Sequence, residues 1–384
     1  MSRIVVLGSG AWGTAIALAL HRRGGHQVSL WSHSRAEADQ ISAAGENVVF
    51  LPGFPLPPEI AITADGAAVT DAEIVVSVIP SGFLRHTLKR LRPHFRSGQI
   101  VVSATKGVEN ETFLRMTEVI ASTLSATAPG FPSAALSTNG QVPKANSDTG
   151  LEVFAESFAP QVSSSGIEPA PRDLDELILP VGAFSGPSFA LEVAQGQPTA
   201  VTVAFDDPAI AERIQQEFSS ETLRLYASTD VIGVELGGAL KNVIAIAAGV
   251  AAGMGLGHNS SAALMTRGIA EITRLAVACG GRRETLAGLS GVGDLVLTCT
   301  GSLSRNRTVG QALGQGRSLP EILESLGGKV AEGVLTTRAA LGLARRHNIE
   351  MPITEQMELL LDEGKDPREA IRDLMLRPGK HEQQ

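Results

Sequence analysis

The chain contains very few cysteines. Only Cys279 and Cys299 occur in 384 residues, and no C-x-x-C pair is present. Two thiols cannot build a disulfide framework, and without such a pair the sequence lacks the usual spacing of zinc ligands. Because nothing beside either cysteine marks it as a nucleophile, we interpret both as small core residues of a reduced, cytoplasmic protein, with no metal site.

The sequence also lacks an excess of basic residues. Its formal net charge is −8 at pH 7, whereas nucleic-acid binders need a basic surface to displace counterions. We therefore expect no nucleic-acid partner, and any anionic ligand must meet a local positive site. Lysine is scarce, at seven residues against 25 arginines, so Lys106 and Lys241, which stand in Gly-rich or apolar stretches, are candidates for such a site.

No apolar run is long and uninterrupted. The N-terminal run is broken by glycines at positions 8, 10 and 13 and ends without a convincing cleavage site, so a strand, a turn and a helix explain it better than a secretory signal. The most apolar later stretch, residues 236–256, carries Lys241, Asn242 and several glycines. We interpret it as a buried helix and expect no membrane span.

Length and composition indicate a compact protein of two domains. Hydrophobic residues make up 43% of the chain and charged residues 19%, which is the balance of a globular protein. Short apolar runs typical of buried strands alternate with helical segments as far as residue 229, which predicts a doubly wound α/β sheet over residues 1–229. The strands are expected at residues 4–7, 28–31, 60–63, 74–79, 100–104, 199–204 and 223–227, and helices at 12–23, 83–91 and 208–218.

The rest of the chain has a different pattern. Over residues 230–384 the strand signal is absent, and long stretches rich in Ala, Leu and Gly have helical periodicity, which predicts a second, all-helical domain. Within the first domain, residues 125–172 are rich in Ala, Ser, Thr, Pro and Gly. This composition cannot bury enough apolar surface to offset its ordering entropy, so we predict a flexible insertion there.

A glycine motif directly follows the first predicted strand and opens the first helix. Residues 8–13 are G-S-G-A-W-G, which matches the G-x-G-x-x-G pattern of dinucleotide-binding Rossmann domains. Gly8 permits the tight turn, Gly10 lets the backbone approach a pyrophosphate, and Gly13 allows close packing of helix and strand. The helix N-terminus adds N–H donors for the phosphates. A glycine-rich turn without a ligand is the alternative interpretation.

The residues after the second predicted strand bear on the choice of cofactor. NAD-selective Rossmann domains hold the ribose with an acidic residue about 20 positions after the motif. Here residues 31–35 are W-S-H-S-R, which contain no carboxylate. Because serine, His33 and Arg35 suit the 2′-phosphate of NADP, we expect NADP to be preferred and NAD to be tolerated. Polar surface residues at a strand end would look the same.

Five other residues are candidates for chemistry. Lys106 follows a predicted strand, at the edge where open α/β sheets bind ligands. Lys241 has small and apolar helix neighbours, and desolvation or a second ammonium would lower its pKa toward that of a general acid or base. Asp294 stands between a Gly-rich turn and an apolar helix start, and Arg305 with Asn306 offers donors suited to a phosphate. Each residue also has a plain structural alternative. Lys106 would be a solvated loop lysine, Lys241 a lysine that reaches out from a helix end, Asp294 only an N-cap, and Arg305 an arginine on a solvated face.

Six motifs, taken together, resemble the bacterial NAD(P)-dependent glycerol-3-phosphate dehydrogenase family. They stand in the family's order and cover nearly the whole chain outside the insertion. The motifs are G-S-G-A-W-G-T-A at 8–15, S-A-T-K-G at 103–107, F-S-G-P-S-F-A at 184–190, L-K-N-V at 240–243, G-D-L at 293–295 and S-R-N at 304–306.

This resemblance implies a fold, an activity and roles for individual residues. The implied fold is a Rossmann domain followed by a helical domain, as in 6-phosphogluconate dehydrogenase-like proteins. The implied reaction is reversible hydride transfer between NAD(P)H and dihydroxyacetone phosphate, which gives sn-glycerol 3-phosphate for phospholipid synthesis, in a cytoplasmic homodimer. Lys241 would donate the proton to the ketone oxygen and act as the base in oxidation.

The implied substrate contacts are Lys106, Gly186, Ser188, Lys241, Asp294, Thr298, Ser304, Arg305 and Asn306. The implied cofactor contacts are Gly8, Gly10, Ala11, Trp12, Gly13, His33, Lys106, Ala190, Arg305, Val330 and Glu332.

The insertion at 125–178 departs from the family, whose members usually cross this gap in a few residues. It falls between two elements and leaves the motifs intact, so we expect it to be dispensable for catalysis. Two alternatives to the family activity stay open. One is a related two-domain dehydrogenase that acts on a hydroxy acid or a sugar phosphate, and the other is a cofactor-binding regulator without catalysis.

Overall fold

The N-terminal apolar run folds as the predicted strand, turn and helix. The computed structural model describes residues 1–125, 177–325, 332–379 and 381–382. Strand β1 (Ser2–Leu7) leads through the glycine turn into helix α1 (Ala11–Arg23), which ends at Gly24 with a φ of 76°. Glycine adopts this left-handed conformation without the clash that a Cβ atom would cause. Val330 and nearly all of the predicted insertion lie outside the described residues.

The strands form one eight-stranded sheet and one small hairpin within the described part of the chain. After β1 they are β2 (His26–Trp31), β3 (Glu46–Asn47), β4 (Leu51–Pro55), β5 (Ala61–Thr63), β6 (Ile74–Ser77), β7 (Ile100–Ser103), β8 (Val181–Ser185), β9 (Thr199–Ala204) and β10 (Leu223–Ser228). The sheet order is β10-β9-β8-β7-β6-β1-β2-β5, and β3 pairs with β4 in the hairpin. Neighbouring strands in the sheet are parallel except β8 and β9, so β9 and β10 run against the others.

The predicted doubly wound sheet is confirmed, because helices cover both of its faces. These helices are α2 (Arg35–Ala44), α3 (Ala67–Asp71), α4 (Ser81–Leu91), α5 (Met116–Leu124), α6 (Ala190–Ala194) and α7 (Pro208–Phe218), and a short 3₁₀ helix, Arg92–His94, follows α4. Alternate residues of β1 pack into different cores, with Ile4 and Val6 on one face and Val5 and Leu7 on the other. Burial on both faces explains the continuous apolar runs of these strands.

The hairpin and β8 were not predicted from the sequence. Strand β8 is V-G-A-F-S, in which glycine and alanine weaken the strand pattern. It forms because β7 and β9 pair with it on either side. Strands β5, β6 and β7 are also shorter than the predicted ranges, by one, two and one residues.

In the described chain after β10 the regular elements are all helices, joined by short turns and loops. The helices are α8 (Val231–Gly253), α9 (His258–Ala278), α10 (Arg283–Leu286), α11 (Asp294–Thr300), α12 (Arg305–Gly314), α13 (Leu319–Ser325), α14 (Glu332–Arg346), α15 (Pro352–Asp362) and α16 (Pro367–Met375). A π-helical turn, Leu289–Gly293, immediately precedes α11.

Helix α8 is the centre of this helical half. It is apolar all round, as a helix enclosed by other helices is expected to be, and α12 packs closely against it. A Cβ atom at Gly310 would lie 1.9 Å from Ile246 O, so the two backbones touch at this glycine. By length and composition α8 is also the one described helix that would span a membrane alone, but 89% of its most apolar window is buried in the protein. The prediction of a buried helix here is confirmed.

The two flanks of the predicted insertion lie side by side. Ser125 Oγ donates a hydrogen bond to Leu177 O at 2.9 Å, and Gly98 N donates to Ile178 O at 2.9 Å. The chain therefore leaves the domain after α5 and returns before β8 at neighbouring points.

Candidate active site

Two lysines from different halves of the chain meet at one carboxylate. Lys241 Nζ lies 2.5 Å from Asp294 Oδ1, and Lys106 Nζ lies 2.8 Å from Asp294 Oδ2. Lys106 follows β7 at the carboxyl edge of the sheet, Lys241 lies in the middle of α8, and Asp294 begins α11. The Lys106, Lys241 and Asp294 side chains are 16%, 7% and 1% exposed, so one carboxylate balances two ammonium groups away from bulk water.

Burial determines the proton affinity of Lys241. Removal from water lowers the pKa of Lys241 to about 8; the Lys106 ammonium lowers it too, and the Asp294 carboxylate opposes the fall. Thr298 Oγ1 accepts a hydrogen bond from Lys241 Nζ at 2.6 Å and donates one to Asp294 O at 2.7 Å. The amine is thus held inside the protein, and the interpretation of Lys241 as a lysine that reaches out to solvent is wrong. An amine with a pKa near 8 can give or take a proton close to neutral pH.

The turn before α11 delivers Asp294 to the lysines. Only glycine fits at Gly291, because a Cβ atom there would lie 1.9 Å from Leu286 O. The N-cap residue of α11 is Gly293, and the Asp294 side chain contacts the two lysines. The interpretation of Asp294 as only an N-cap is therefore wrong.

Two serines that the sequence analysis did not single out support this carboxylate. Ser185 Oγ donates to Asp294 Oδ2 at 3.5 Å, and Ser290 Oγ donates to Ser185 O at 3.3 Å. Gly238 of α8 makes room for them, because a Cβ atom there would lie 2.2 Å from Ser185 Oγ. Ser185 ends β8, the strand that the apolar pattern missed, although the residue stands within the F-S-G-P-S-F-A motif.

The segment after β8 joins the same cluster. Lys106 Nζ lies 3.4 Å from Gly186 O, and Ser188 Oγ donates to the same carbonyl at 3.0 Å. Gly186 has a φ of 150°, and a Cβ atom there would lie 2.9 Å from Val201 Cα. Glycine is therefore needed where this segment passes β9, and Ala190 follows as the first residue of α6.

The S-R-N motif begins α12. Ser304 Oγ caps this helix by accepting a hydrogen bond from the backbone N–H of Arg307, and Asn306 Oδ1 accepts one from Gly333 N at 3.0 Å. Arg305, the first residue of the helix, is exposed. The motif thus presents one solvent-accessible guanidinium on a fixed helix end.

Glu332 connects this motif electrostatically with the lysines. Burial raises the pKa of Glu332, and the positive charges of Arg305, Lys106 and Lys241 oppose that rise. Direct contacts therefore join six of the sequence-predicted residues, Lys106, Gly186, Ser188, Lys241, Asp294 and Thr298. Arg305 is related to the two lysines only through their shared electrostatic effect on Glu332. No contact joins His33 to this cluster within the described residues, because His33 lies at the end of β2.

The glycine turn between β1 and α1 has a shape that a dinucleotide fits. A Cβ atom at Gly13 would lie 1.9 Å from Gly8 O, and Gly8 itself has a φ of 119°. At Gly10, by contrast, no protein atom lies within 4 Å of a Cβ position, and no side chain caps the helix that follows. Open space in front of uncapped N–H groups suits a pyrophosphate. Half-buried Ala11 and Trp12 form the first residues of that helix.

One carboxylate does lie at the end of β2. Glu37, in the first turn of α2, accepts a hydrogen bond from Ser9 Oγ at 2.6 Å, and its other oxygen lies 3.4 Å from His33 Nδ1. The sequence-based conclusion that no carboxylate is available there is therefore wrong. Glu37 stands two residues beyond Arg35, and the first turn of α2 brings its side chain back to the glycine motif.

The cysteines take no part in this cluster. Cys299 is buried and Cys279 is half-buried, and burial raises their pKa values to about 12 and about 11. Among the described residues, no three His, Cys, Asp or Glu side chains are grouped as a metal site would require.

Two protein-family models match most of the chain. The model described as NAD-dependent glycerol-3-phosphate dehydrogenase N-terminus matches residues 3–137 and 169–211, and the model for the C-terminus of the same enzyme matches residues 230–372. The chain belongs to this family. The unmatched residues 138–168 fall inside the predicted insertion.

Whole-chain similarities agree with this membership. The chain is 54% identical to glycerol-3-phosphate dehydrogenase [NAD(P)+] of Acidobacterium capsulatum over 386 aligned positions, with 100% of both chains covered. It is 50% identical to the enzyme of the same name from Koribacter versatilis, covering 98% of each chain. The crystal structure of glycerol-3-phosphate dehydrogenase from Coxiella burnetii is 34% identical with a TM-score of 0.80, covering 98% of this chain and 99% of that one. The family resemblance and the predicted fold class are confirmed.

Proposed function

We propose that the protein interconverts dihydroxyacetone phosphate and sn-glycerol 3-phosphate with NAD(P)H, and that this supplies glycerol 3-phosphate for phospholipid synthesis. The observation that carries the proposal is the contact of Lys241 and Lys106 with one buried carboxylate, Asp294. A reaction that turns a ketone into an alcohol needs one proton delivered to the carbonyl oxygen. Lys241 is the buried amine whose pKa allows that delivery near neutral pH.

Three residues of the chain have separate roles in this reaction. NAD(P)H, when bound, supplies the hydride to the carbonyl carbon. Lys241 stabilises the negative charge that develops on the carbonyl oxygen and then donates its proton there, and in oxidation it takes the proton back. Asp294 keeps Lys241 sufficiently basic to hold a proton, and Thr298 fixes the direction of its amine.

The remaining assignments rest on the family resemblance, and the contacts described above support those of the lysine cluster. We assign substrate binding to Lys106, Gly186, Ser188, Asp294, Thr298, Ser304, Arg305 and Asn306, with the exposed Arg305 as the main phosphate donor. We assign cofactor binding to Gly8, Gly10, Ala11, Trp12, Gly13, His33, Lys106, Ala190, Arg305, Val330 and Glu332. We further propose a nucleotide-binding domain at 1–229, a helical domain at 230–384, a cytoplasmic location, a homodimeric state and a preference for NADP.

A turnover assay tests the reaction. Purified protein is mixed with NADPH or NADH, and the fall in nicotinamide absorbance is followed after dihydroxyacetone phosphate is added. We expect rapid turnover, faster at equal low concentration with NADPH than with NADH. A folded protein that turns over a 2-keto acid or another sugar phosphate, but not dihydroxyacetone phosphate, would overturn the substrate assignment. A folded protein that binds NADPH but turns over none of these substrates would instead indicate a cofactor-binding regulator without catalysis.

A further inference from the structure

An open pocket lies beside the end of β2, away from the lysine cluster. Its volume is about 370 Å³, which is within the range of small-molecule sites. The residues that line it include Trp31, His33, Arg35, Arg90 and His94. Its wall therefore combines two guanidinium groups and two imidazoles in a protein whose net charge is −8.

Arg90 reaches this pocket from a distant part of the sequence. It lies near the end of α4, 57 residues after His33, and its Nη2 donates a hydrogen bond to His33 O at 3.3 Å. Its Cζ lies 5.3 Å from the centre of the Trp31 ring, a distance at which a cation and an aromatic face attract each other. Both contacts hold the guanidinium at the pocket, and no carboxylate of the described residues forms an ion pair with it.

Trp31 ties the pocket to the glycine motif. Its backbone carbonyl accepts a hydrogen bond from Gly8 N at 3.0 Å, so the pocket adjoins the turn that suits a pyrophosphate. Its buried indole Nε1 has no hydrogen-bond partner within the described structure. This nitrogen is enclosed by the protein, so the contribution of Trp31 to the pocket is the ring face under Arg90.

The charges around the pocket favour an anion with more than one acceptor oxygen. Arg35 is 78% exposed and its nearest carboxylate oxygen, on Asp39, is 3.9 Å away, so it is free to turn toward a ligand. Glu37 is the opposing charge, and Ser9 and His33 already contact its two oxygens. Two guanidinium forks suit a phosphate monoester, which has several oxygens to accept bidentate hydrogen bonds.

We infer that Arg90, together with Arg35, binds the 2′-phosphate of NADP and sets the preference for NADP over NAD. The inference rests on the proposed function, because that function assigns a nicotinamide dinucleotide to the neighbouring glycine turn. The sequence-based expectation named only residues that directly follow β2. Arg90 is a new member of this site, because it lies on α4 and no motif spacing links it with the end of β2.

Calorimetric binding of two nucleotide fragments tests this inference without any turnover. Adenosine 2′,5′-bisphosphate carries the 2′-phosphate, and adenosine 5′-monophosphate lacks it. We expect the wild type to bind the bisphosphate more tightly, and Arg90→Gln to reduce that advantage by about 10- to 100-fold, the range of a lost hydrogen bond to a charged group. Arg90→Lys keeps the charge but loses the fork of donors, so its preference for the bisphosphate should lie between those of the wild type and Arg90→Gln. Lys89→Gln, an exposed neighbour on the same helix, is the matched control and should preserve the wild-type ratio.

Two outcomes would overturn the inference. One is equal affinity of the wild type for the two fragments. The other is an Arg90→Gln variant whose ratio of the two Kd values is unchanged, including the case in which both affinities fall together. Because neither fragment is turned over, a protein that binds the bisphosphate as expected but fails to reduce dihydroxyacetone phosphate would contradict the proposed reaction and leave the role of Arg90 intact.

Discussion

The lysine cluster and the pocket at the end of β2 are both positively charged, but they hold their charges in opposite ways. In the cluster the Lys241 side chain is 7% exposed and is bonded to a carboxylate and a hydroxyl. At the end of β2 the Arg35 side chain is 78% exposed and has only one distant carboxylate beside it. The first arrangement fixes an amine and shifts its pKa, whereas the second leaves the guanidinium accessible.

This difference follows from what each charge has to do. A group that exchanges a proton during a reaction needs a perturbed pKa, which burial and neighbouring charges provide. A group that binds a permanent anion needs only to stay charged and reachable, and arginine does so without burial. The exposed Arg305 belongs with the second kind, although it lies beside the cluster.

Replacing Lys241 should cause the largest effect. Lys241→Ala removes the proton donor, and we expect kcat for reduction of dihydroxyacetone phosphate to fall by about 10²- to 10⁴-fold, the usual contribution of general acid catalysis. The measurement is steady-state turnover with NADPH. Added methylamine should restore part of the activity, because a small amine can occupy the space left by the side chain.

The control for this variant is its affinity for NADPH, measured by fluorescence or calorimetry. It should stay close to that of the wild type, since Lys241 contacts Asp294 and Thr298 and not the glycine turn. Activity within threefold of wild type would show that another group delivers the proton.

Neutralising Asp294 should move the pH profile. Because this carboxylate raises the pKa of Lys241 against the effects of burial and Lys106, Asp294→Asn should lower that pKa from about 8 by about one to three units. Reduction requires protonated Lys241, so kcat/KM for reduction falls as pH rises through the pKa of Lys241, and in the variant this fall begins at lower pH. At pH 8, where half of the wild-type Lys241 is protonated, the variant should therefore be about 5- to 500-fold slower, with part of the loss recovered at lower pH.

Glu271 provides a matched control for the pH profile. It is also a buried carboxylate, with a pKa raised by burial to about 7, but it accepts hydrogen bonds from the backbone N–H groups of Ile353 and Thr354 and contacts neither lysine. Glu271→Gln should leave the profile where it is. If Asp294→Asn loses activity equally at every pH, Asp294 does not act through the proton affinity of Lys241.

Residues within motifs were predictable from the sequence, whereas residues recruited across the fold were not. The G-x-G-x-x-G turn is local, so its three glycines and the following helix could be read directly from the chain. Lys241 is a candidate general acid or base on sequence grounds, because it interrupts an apolar helix. Its partner Asp294 lies 53 residues away, and only the packing of α11 on α8 joins the two. The family resemblance, and not the spacing, grouped these residues beforehand.

The site residues that were not predicted from the sequence share one physical cause. Ser185 ends a strand whose V-G-A-F-S sequence forms through pairing with its neighbours, and Arg90 reaches the end of β2 from α4. Such contacts depend on where a helix face points after folding, and a window of a few residues contains no signal for them. Tertiary contacts therefore determine the parts of the site that set charge and selectivity.

Removing the exposed guanidinium of Arg305 should affect binding more than chemistry. Arg305→Ala should raise KM for dihydroxyacetone phosphate by about 10- to 100-fold, as expected for lost charge-assisted hydrogen bonds, with a smaller change in kcat. The loss should be absent for unphosphorylated dihydroxyacetone, assayed at high concentration. Arg307→Ala on the same helix is the control, because the hydrogen bond from position 307 to Ser304 comes from the backbone. An equal loss for both ketones would show that Arg305 does not bind the phosphate.

The second and third glycines of the turn, Gly10 and Gly13, should separate binding from folding, with the smallest effects of the series. A Cβ atom at Gly10 meets open space and the residue has an ordinary φ of −68°, so Gly10→Ala should fold normally but obstruct the pyrophosphate and raise KM for NADPH about tenfold, close to 1.4 kcal/mol. Gly13→Ala places a Cβ atom 1.9 Å from Gly8 O, so the turn must shift and the free energy of unfolding should fall by about 1–3 kcal/mol. Thermal unfolding and NADPH titration of both variants measure the contrast. Equal losses of stability would mean that the space in front of Gly10 serves the fold and not a ligand.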